Sequence, residues 1–173
     1  EDNASAYLTG LIAGRMTETN KVGFIGGMES PVISKFDYGF RAGVKAANPD
    51  AEVMVQYANS FTDSALGKTI ANQMHSKNAD IIFTCAGAVG IGAIEAAKEN
   101  GKKAIGVDQD QNSLAPENVI TSAMKNIDVS VEEMLSKVVD GSYKGGEIIV
   151  NTLAMNGVGI PQSSEKNVPP DVL

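Results

Sequence analysis

Apolar positions change their period repeatedly along this chain. Over residues 4–16, Tyr7, Leu8, Leu11 and Ile12 recur at three- and four-residue intervals, which predicts a helix. The run Lys21-Val22-Gly23-Phe24-Ile25-Gly26-Gly27 then stays apolar without alternation and ends in two glycines, the mark of a short buried strand and a tight turn. Ser30-Pro31 begins a second helix, an N-cap hydroxyl followed by proline at the first helical position. Its stripe is Val32, Phe36, Phe40 and Val44, and Asn48-Pro49-Asp50 stops it.

The unit then recurs. Glu52 to Tyr57 predicts a strand, Asn59 to Asp63 a polar loop, and residues 64–77 a helix with Leu66, Ile70 and Met74 inward. Asp80 to Cys85 predicts a strand, Ala86 to Gly90 a glycine loop, and residues 91–100 a helix ended by Gly101. Lys103 to Val107 and Asn118 to Met124 read as two further strands around the polar segment Asp108 to Asn112. Residues 128–140 form an amphipathic pattern with Val131, Met134, Leu135, Val138 and Val139. A late strand is expected around Ile148 to Leu153, then a loosely held polar tail over 161–173. Strand and helix alternate, so the expected architecture is α/β, a doubly wound parallel sheet covered on both faces. Ligands of such sheets sit beyond the carboxyl ends of the strands. That directs attention to residues 26–31, 58–63, 86–90, 108–113 and 124–127.

Composition narrows the class. The 173 residues, 43% of them hydrophobic and 20% charged, fall in the ordinary globular range. A net charge of −7 argues against a nucleic-acid partner, which needs a basic footprint. The one cysteine, Cys85, can form neither an internal disulfide nor a zinc cage and reads as a small buried hydrophobe. The one histidine, His75, reads as an ordinary helix residue. No Ser/His/Asp set, metal cluster or carboxylate pair emerges, so the chain is expected to bind rather than catalyse, and without a cofactor.

The loops offer several chemistries. Gly26-Gly27 and Gly87-Ala88-Val89-Gly90 lack the full phosphate-binding fingerprints and are better read as tight turns. Asp108-Gln109-Asp110-Gln111-Asn112 imitates the opening of a calcium loop, but Ser113 and Val119 stand where that loop needs Gly and Glu. Asp108 ends a buried strand, where it is either a solvated turn residue or a carboxylate accepting bonds from vicinal hydroxyls. Lys125 closes the next strand, as a surface lysine or as a donor to a ligand while it pairs with Asp108. Phe36 and Phe61 offer flat faces for stacking on a sugar or base. Core packing competes strongly for Phe36. Asp37 and Asp63 read as solvated or capping residues.

The segments Ser5-Ala6-Tyr7-Leu8-Thr9-Gly10, Lys21 to Gly27, Lys35-Phe36 with Gly39-Phe40, Ile105-Gly106-Val107-Asp108-Gln109-Asp110-Gln111 and Ser122-Ala123-Met124-Lys125-Asn126 resemble the basic membrane protein family. Its members are substrate-binding lipoproteins of ABC importers, of the purine-nucleoside-receptor type. The resemblance implies the two-lobed type I periplasmic-binding-protein fold, with residues 1–127 as the second lobe and 128–160 as a crossover helix and return strand. It implies a nucleoside held by Phe36, Phe61, Gly87, Asp108 and Lys125, with Asp108 on the ribose hydroxyls. It also implies an ABC permease partner and lipid anchoring outside the plasma membrane. Members are about twice this length, so a first lobe, signal peptide and lipid-bearing cysteine are expected upstream of Glu1. A lone second lobe would bind nucleoside weakly or undetectably, and its uncovered 128–140 helix is a candidate surface for self-association. The alternatives are a sugar-binding protein or an effector-sensing regulatory domain of the same fold.

Overall fold

The computed structural model describes all residues, Glu1–Leu173. Its elements are α1 (Asp2–Met16), β1 (Lys21–Gly26), α2 (Pro31–Ala47), β2 (Glu52–Tyr57), α3 (Ser64–Ser76), β3 (Ile81–Cys85), α4 (Ala88–Glu99), β4 (Lys103–Asp108), β5 (Val119–Lys125), α5 (Ile127–Val139) and β6 (Val158–Gly159). The sheet order is β2-β1-β3-β4-β5-β6. The first five strands are parallel, and β6 joins β5 antiparallel. The expected α/β architecture is therefore present, amended at one edge: the sheet is mixed rather than wholly parallel.

Period-two alternation sorts the strand residues between two cores. Val22, Phe24, Ile81, Phe83, Cys85, Ile105 and Val107 join Phe36, Phe40 and Val44 of α2 and Ile12 and Ala13 of α1. Ile25 and Ile82 point the other way, onto Ile70, Met74, Val89 and Ala93 of α3 and α4. Phe24, Phe36, Phe40 and Phe83 form an aromatic cluster with ring centroids 5.2–6.4 Å apart. The chain leaves β1 for β2 on one side of it, then returns past it to β3. The carboxyl ends of β1 and β3 thus flank the topological switch point, where such sheets open a crevice.

Two helix faces differ from the sequence reading for a steric reason. The stripe expected on α1 was Tyr7, Leu8, Leu11 and Ile12, yet its buried face is Ser5, Ala6, Thr9, Gly10, Ile12, Ala13 and Gly14. Tyr7 is exposed. Small residues win because α1 lies backbone to backbone on α2. A Cβ on Gly43 would collide with the Tyr7 carbonyl oxygen, and one on Gly10 with that of Phe40. On α2, Ile33 turns inward in place of Val32.

Three further expectations change at the C-terminal end. No strand forms over 148–153, where Ile148 lies almost wholly in solvent; the late strand is β6, further on. The tail is held rather than loose. Val168 is buried in the larger core, the Ser164 and Thr121 hydroxyls meet at 2.8 Å, and Asn167 Nδ2 donates to the Pro116 and Val119 carbonyls. Asp37 is not solvated: it is buried, 2.8 Å from Arg41 Nε, and accepts from the Tyr57 hydroxyl. Burial first, then the Asp37 charge, pushes the Tyr57 phenol upward.

His75 is buried with Nδ1 2.9 Å from the Ala79 carbonyl, and burial holds its pKa below the usual value. No helix is long and apolar enough to cross a membrane.

The α1–α2 contact gives a direct test. Gly43→Ala is expected to lower the unfolding free energy by about 1–3 kcal/mol, the ordinary cost of overpacking. A urea midpoint unchanged from that of the parent chain would contradict the close crossing.

Candidate ligand-binding site

Five strand ends meet along one rim of the sheet, and each delivers something different. After β2, Ser60 Oγ accepts from the Thr62 and Asp63 amides, and Asp63 caps α3 by accepting from Leu66 N. These turns hold Phe61 out of the core, with its ring against Gly27 at the end of β1. Phe61 is 40% exposed. Its carbonyl oxygen accepts from Ala88 N at 2.8 Å, which staples the loop after β2 to the turn after β3.

Gly87 makes that turn at φ 57° and ψ −129°, a conformation that excludes side chains. A Cβ there would also lie 2.7 Å from the Phe61 carbonyl oxygen. Gly87 caps α4, whose first turn presents Ile91 outward.

Asp108 and Lys125 end β4 and β5. The register sets Asp108 opposite Met124, so Lys125 stands one residue beyond it. Lys125 Nζ lies 3.5 Å from Asp108 Oδ1 and 3.5 Å from Asp2 Oδ1 at the start of α1. Asp108 is a non-glycine residue at φ 66°, a left-handed backbone with a strain cost of about 1 kcal/mol or more. The turn behind it is tied down, because Gln111 Oε1 accepts from Val107 N and Gln111 N donates to Ser122 Oγ. The Asp108 carboxylate is thereby presented outward, largely solvent-exposed, with Lys125 as its one ionic partner.

Between these ends lies an open cavity of about 490 Å³, within the range of small-molecule sites. It is lined by Gly87, Asp108 and Lys125 together with Ile91, Gln109, Gln111 and Asp128. Three of the five expected site residues thus share one hollow. Phe61 stands beside it, linked through Gly87, rather than on its wall. Phe36 requires a correction: it is 1% exposed, with its ring edge-on to Phe83 in the core, and offers no face for stacking on a ligand. Ile91, Gln109 and Asp128 were not singled out from the sequence. Gln109 lies in a loop already marked by its place at a strand end. An isoleucine on the first turn of a helix after a glycine loop was the available signal for Ile91.

Cys85 lies nearby, but burial and then the Asp108 charge push its thiol up to about 12, far from the thiolate a nucleophile needs. No three His, Cys, Asp or Glu side chains gather as a metal site would require. The hollow offers an acceptor, a donor and a close-approach glycine, with an exposed aromatic beside it.

Comparison with known proteins identifies the family. Residues 1–172 match the Bmp family profile, described as ABC transporter substrate-binding protein PnrA-like. The chain belongs to that family. It is 42% identical over 176 residues to the ABC transporter nucleoside-binding protein BmpA of Lactococcus lactis, covering 92% of this chain and 50% of that one. Among solved structures it resembles an ABC transporter solute-binding protein from Aeropyrum pernix K1, with a TM-score of 0.85 and 30% identity over 93% of this chain and 48% of that one. It also resembles a transcriptional activator of the comK gene from Bacillus halodurans, with a TM-score of 0.88 and 25% identity over 99% of this chain and 59% of that one. The fold is thus that of periplasmic-binding-protein-like domains, and the family is one of non-catalytic solute-binding proteins. The chain spans about half the length of the curated relatives it matches.

Strain at Asp108 yields a prediction. Asp108→Gly relieves the left-handed backbone, and its unfolding free energy is expected to rise by up to about 1 kcal/mol while the carboxylate is lost. A fall of more than about 1 kcal/mol in chemical denaturation would show that the ion pair, not the backbone, governs this position.

Proposed function

We propose that this chain provides one face of a cleft that captures a purine nucleoside for an ABC importer. A carboxylate at a strand end, with an ammonium 3.5 Å away, is the observation that carries this reading. Vicinal hydroxyls donate to a carboxylate, and the ammonium donates to a hydroxyl or ring atom of the same guest. Asp108 takes the ribose hydroxyls. Lys125 holds an adjacent acceptor. Gly87 lets the guest approach the backbone, and the exposed Phe61 offers its ring to the purine face.

An open hollow supplies half of a closed site. The first lobe of the longer protein covers it, excludes water and strengthens the hydrogen bonds. The surface of α5 fits the same scheme. None of its residues is buried, and Val131, Leu135, Val138 and Val139 stand in solvent. We assign residues 1–127 to the second lobe and residues 128–160 to a crossover helix, which rests on the first lobe, and a return strand. Self-association through α5 is the competing fate of that stripe when the chain stands alone. The whole protein works outside the plasma membrane, lipid-anchored, and hands its guest to a permease.

The likeness to the comK activator favours a second reading, an effector sensor of the same fold. Both readings need the same hollow, but the importer reading alone requires transport.

The cleft reading is tested by titrating the isolated chain with inosine. Calorimetry is expected to show no micromolar affinity, because half of the contacts are absent. Millimolar inosine is expected to shift the amide resonances of Gly87, Asp108 and the neighbours of Lys125, and Asp108→Asn to abolish those shifts. Micromolar binding would overturn the half-site assignment, and unshifted resonances at these positions would overturn the cleft itself.

A further inference from the structure

Phe36 is displaced from the ligand-stacking role, yet the structure does not leave it as inert core. The Lys125 ammonium lies 4.9 Å from the centroid of its ring. A cation at that range over an aromatic face is attracted by the ring quadrupole. The ring itself is fixed: it is 1% exposed and packs against Phe83 at 6.2 Å and 61°. On another side of the same ammonium sits Asp2 Oδ1, 3.5 Å away, carried by the first turn of α1. β6 closes the strand side, with Val158 paired opposite Lys125.

Lysine carries a flexible stem, and holding one in place ordinarily uses its donors. Here the restraint comes from charge and from the ring face. Both carboxylate distances, 3.5 Å, exceed the roughly 2.7–2.9 Å of a short charge-assisted hydrogen bond. The ammonium is therefore confined without having its N–H groups taken up.

We infer that Phe36 and Asp2 are positioning residues, which fix the Lys125 ammonium at the mouth of the cleft and leave its N–H donors free for the guest. The inference rests on the cleft being the ligand site. It accounts for an aromatic residue directly behind a strand-end lysine, and for the first-turn carboxylate of α1 lying against that lysine. Preplacing the lysine reduces the ordering cost that binding would otherwise carry.

The test uses this chain with isotopically labelled lysine, compared with Phe36→Leu and Asp2→Asn. In the free parent chain, the Lys125 ε-methylene protons are expected upfield of those of the other lysines, from the Phe36 ring current, and the methylene is expected to be restrained. Phe36→Leu should remove the displacement and mobilise the side chain. Asp2→Asn should keep the displacement but increase the motion. In both variants the inosine titration should move to about fivefold higher concentration or more, the equivalent of losing a cation–π or ion-pair restraint.

A purely structural Phe36 predicts lower stability in Phe36→Leu with Lys125 as restrained as before. That result, or Lys125 protons at the ordinary lysine position in the parent chain, would overturn the inference. Should Phe36→Leu fail to fold, the parent spectrum and Asp2→Asn still decide. A parent chain with Lys125 displaced and restrained but indifferent to inosine would sink the nucleoside reading alone.

Discussion

Parallel pairing of β4 with β5 is the constraint on which the site depends. Parallel strands end at the same rim, so consecutive strands can set side chains side by side there although 17 positions apart in sequence, as Asp108 and Lys125 are. The ion pair is long and half-wet, and surface pairs of this kind add little to stability. Its value lies in placement. A carboxylate and an ammonium at one cavity mouth form a matched acceptor and donor, which suits a neutral polyhydroxy guest better than an anion. The fold accepts a strained backbone at Asp108 to bring this about, and ties the turn behind it through Gln111 and Ser122.

The same rim is held by contacts that tolerate little change. Phe61 can stand beside the hollow only because Gly27 leaves room for its ring and Gly87 for its carbonyl. Behind the sheet, α1 and α2 cross at glycine, which brings Asp2 close enough to touch Lys125 and sets Phe36 beneath it. Helix packing and the proposed ligand site are thus coupled. Residues that look like core on one criterion govern a polar side chain on another.

Much of this was legible in the sequence, and the remainder failed for physical reasons. Strand runs such as Ile81 to Cys85 and the Ser30-Pro31 start declared themselves, because burial on two faces and capping chemistry leave local marks. The loops bearing Asp108, Gly87 and Lys125 were marked by their place at strand ends, but local pattern left each residue's role open, and only the family resemblance pointed to a ligand. The buried face of α1 did not, because hydropathy ranks Leu8 above Gly10 while a close helix crossing selects for size. Phe36 misled because an aromatic near a loop looks alike whether its ring faces solvent or a lysine. The antiparallel β6, two residues long, has too little pattern to find. The tail is held by hydroxyl and amide contacts, which leave no periodicity.

The most direct measurement is a crystal structure of this chain soaked in inosine. Ribose hydroxyls within hydrogen-bonding distance of the Asp108 carboxylate, an inosine acceptor atom on Lys125 Nζ and the purine beside Gly87 and Phe61 are the predicted result. Inosine bound elsewhere on the surface, with the Asp108–Lys125 rim left to solvent, would contradict the account.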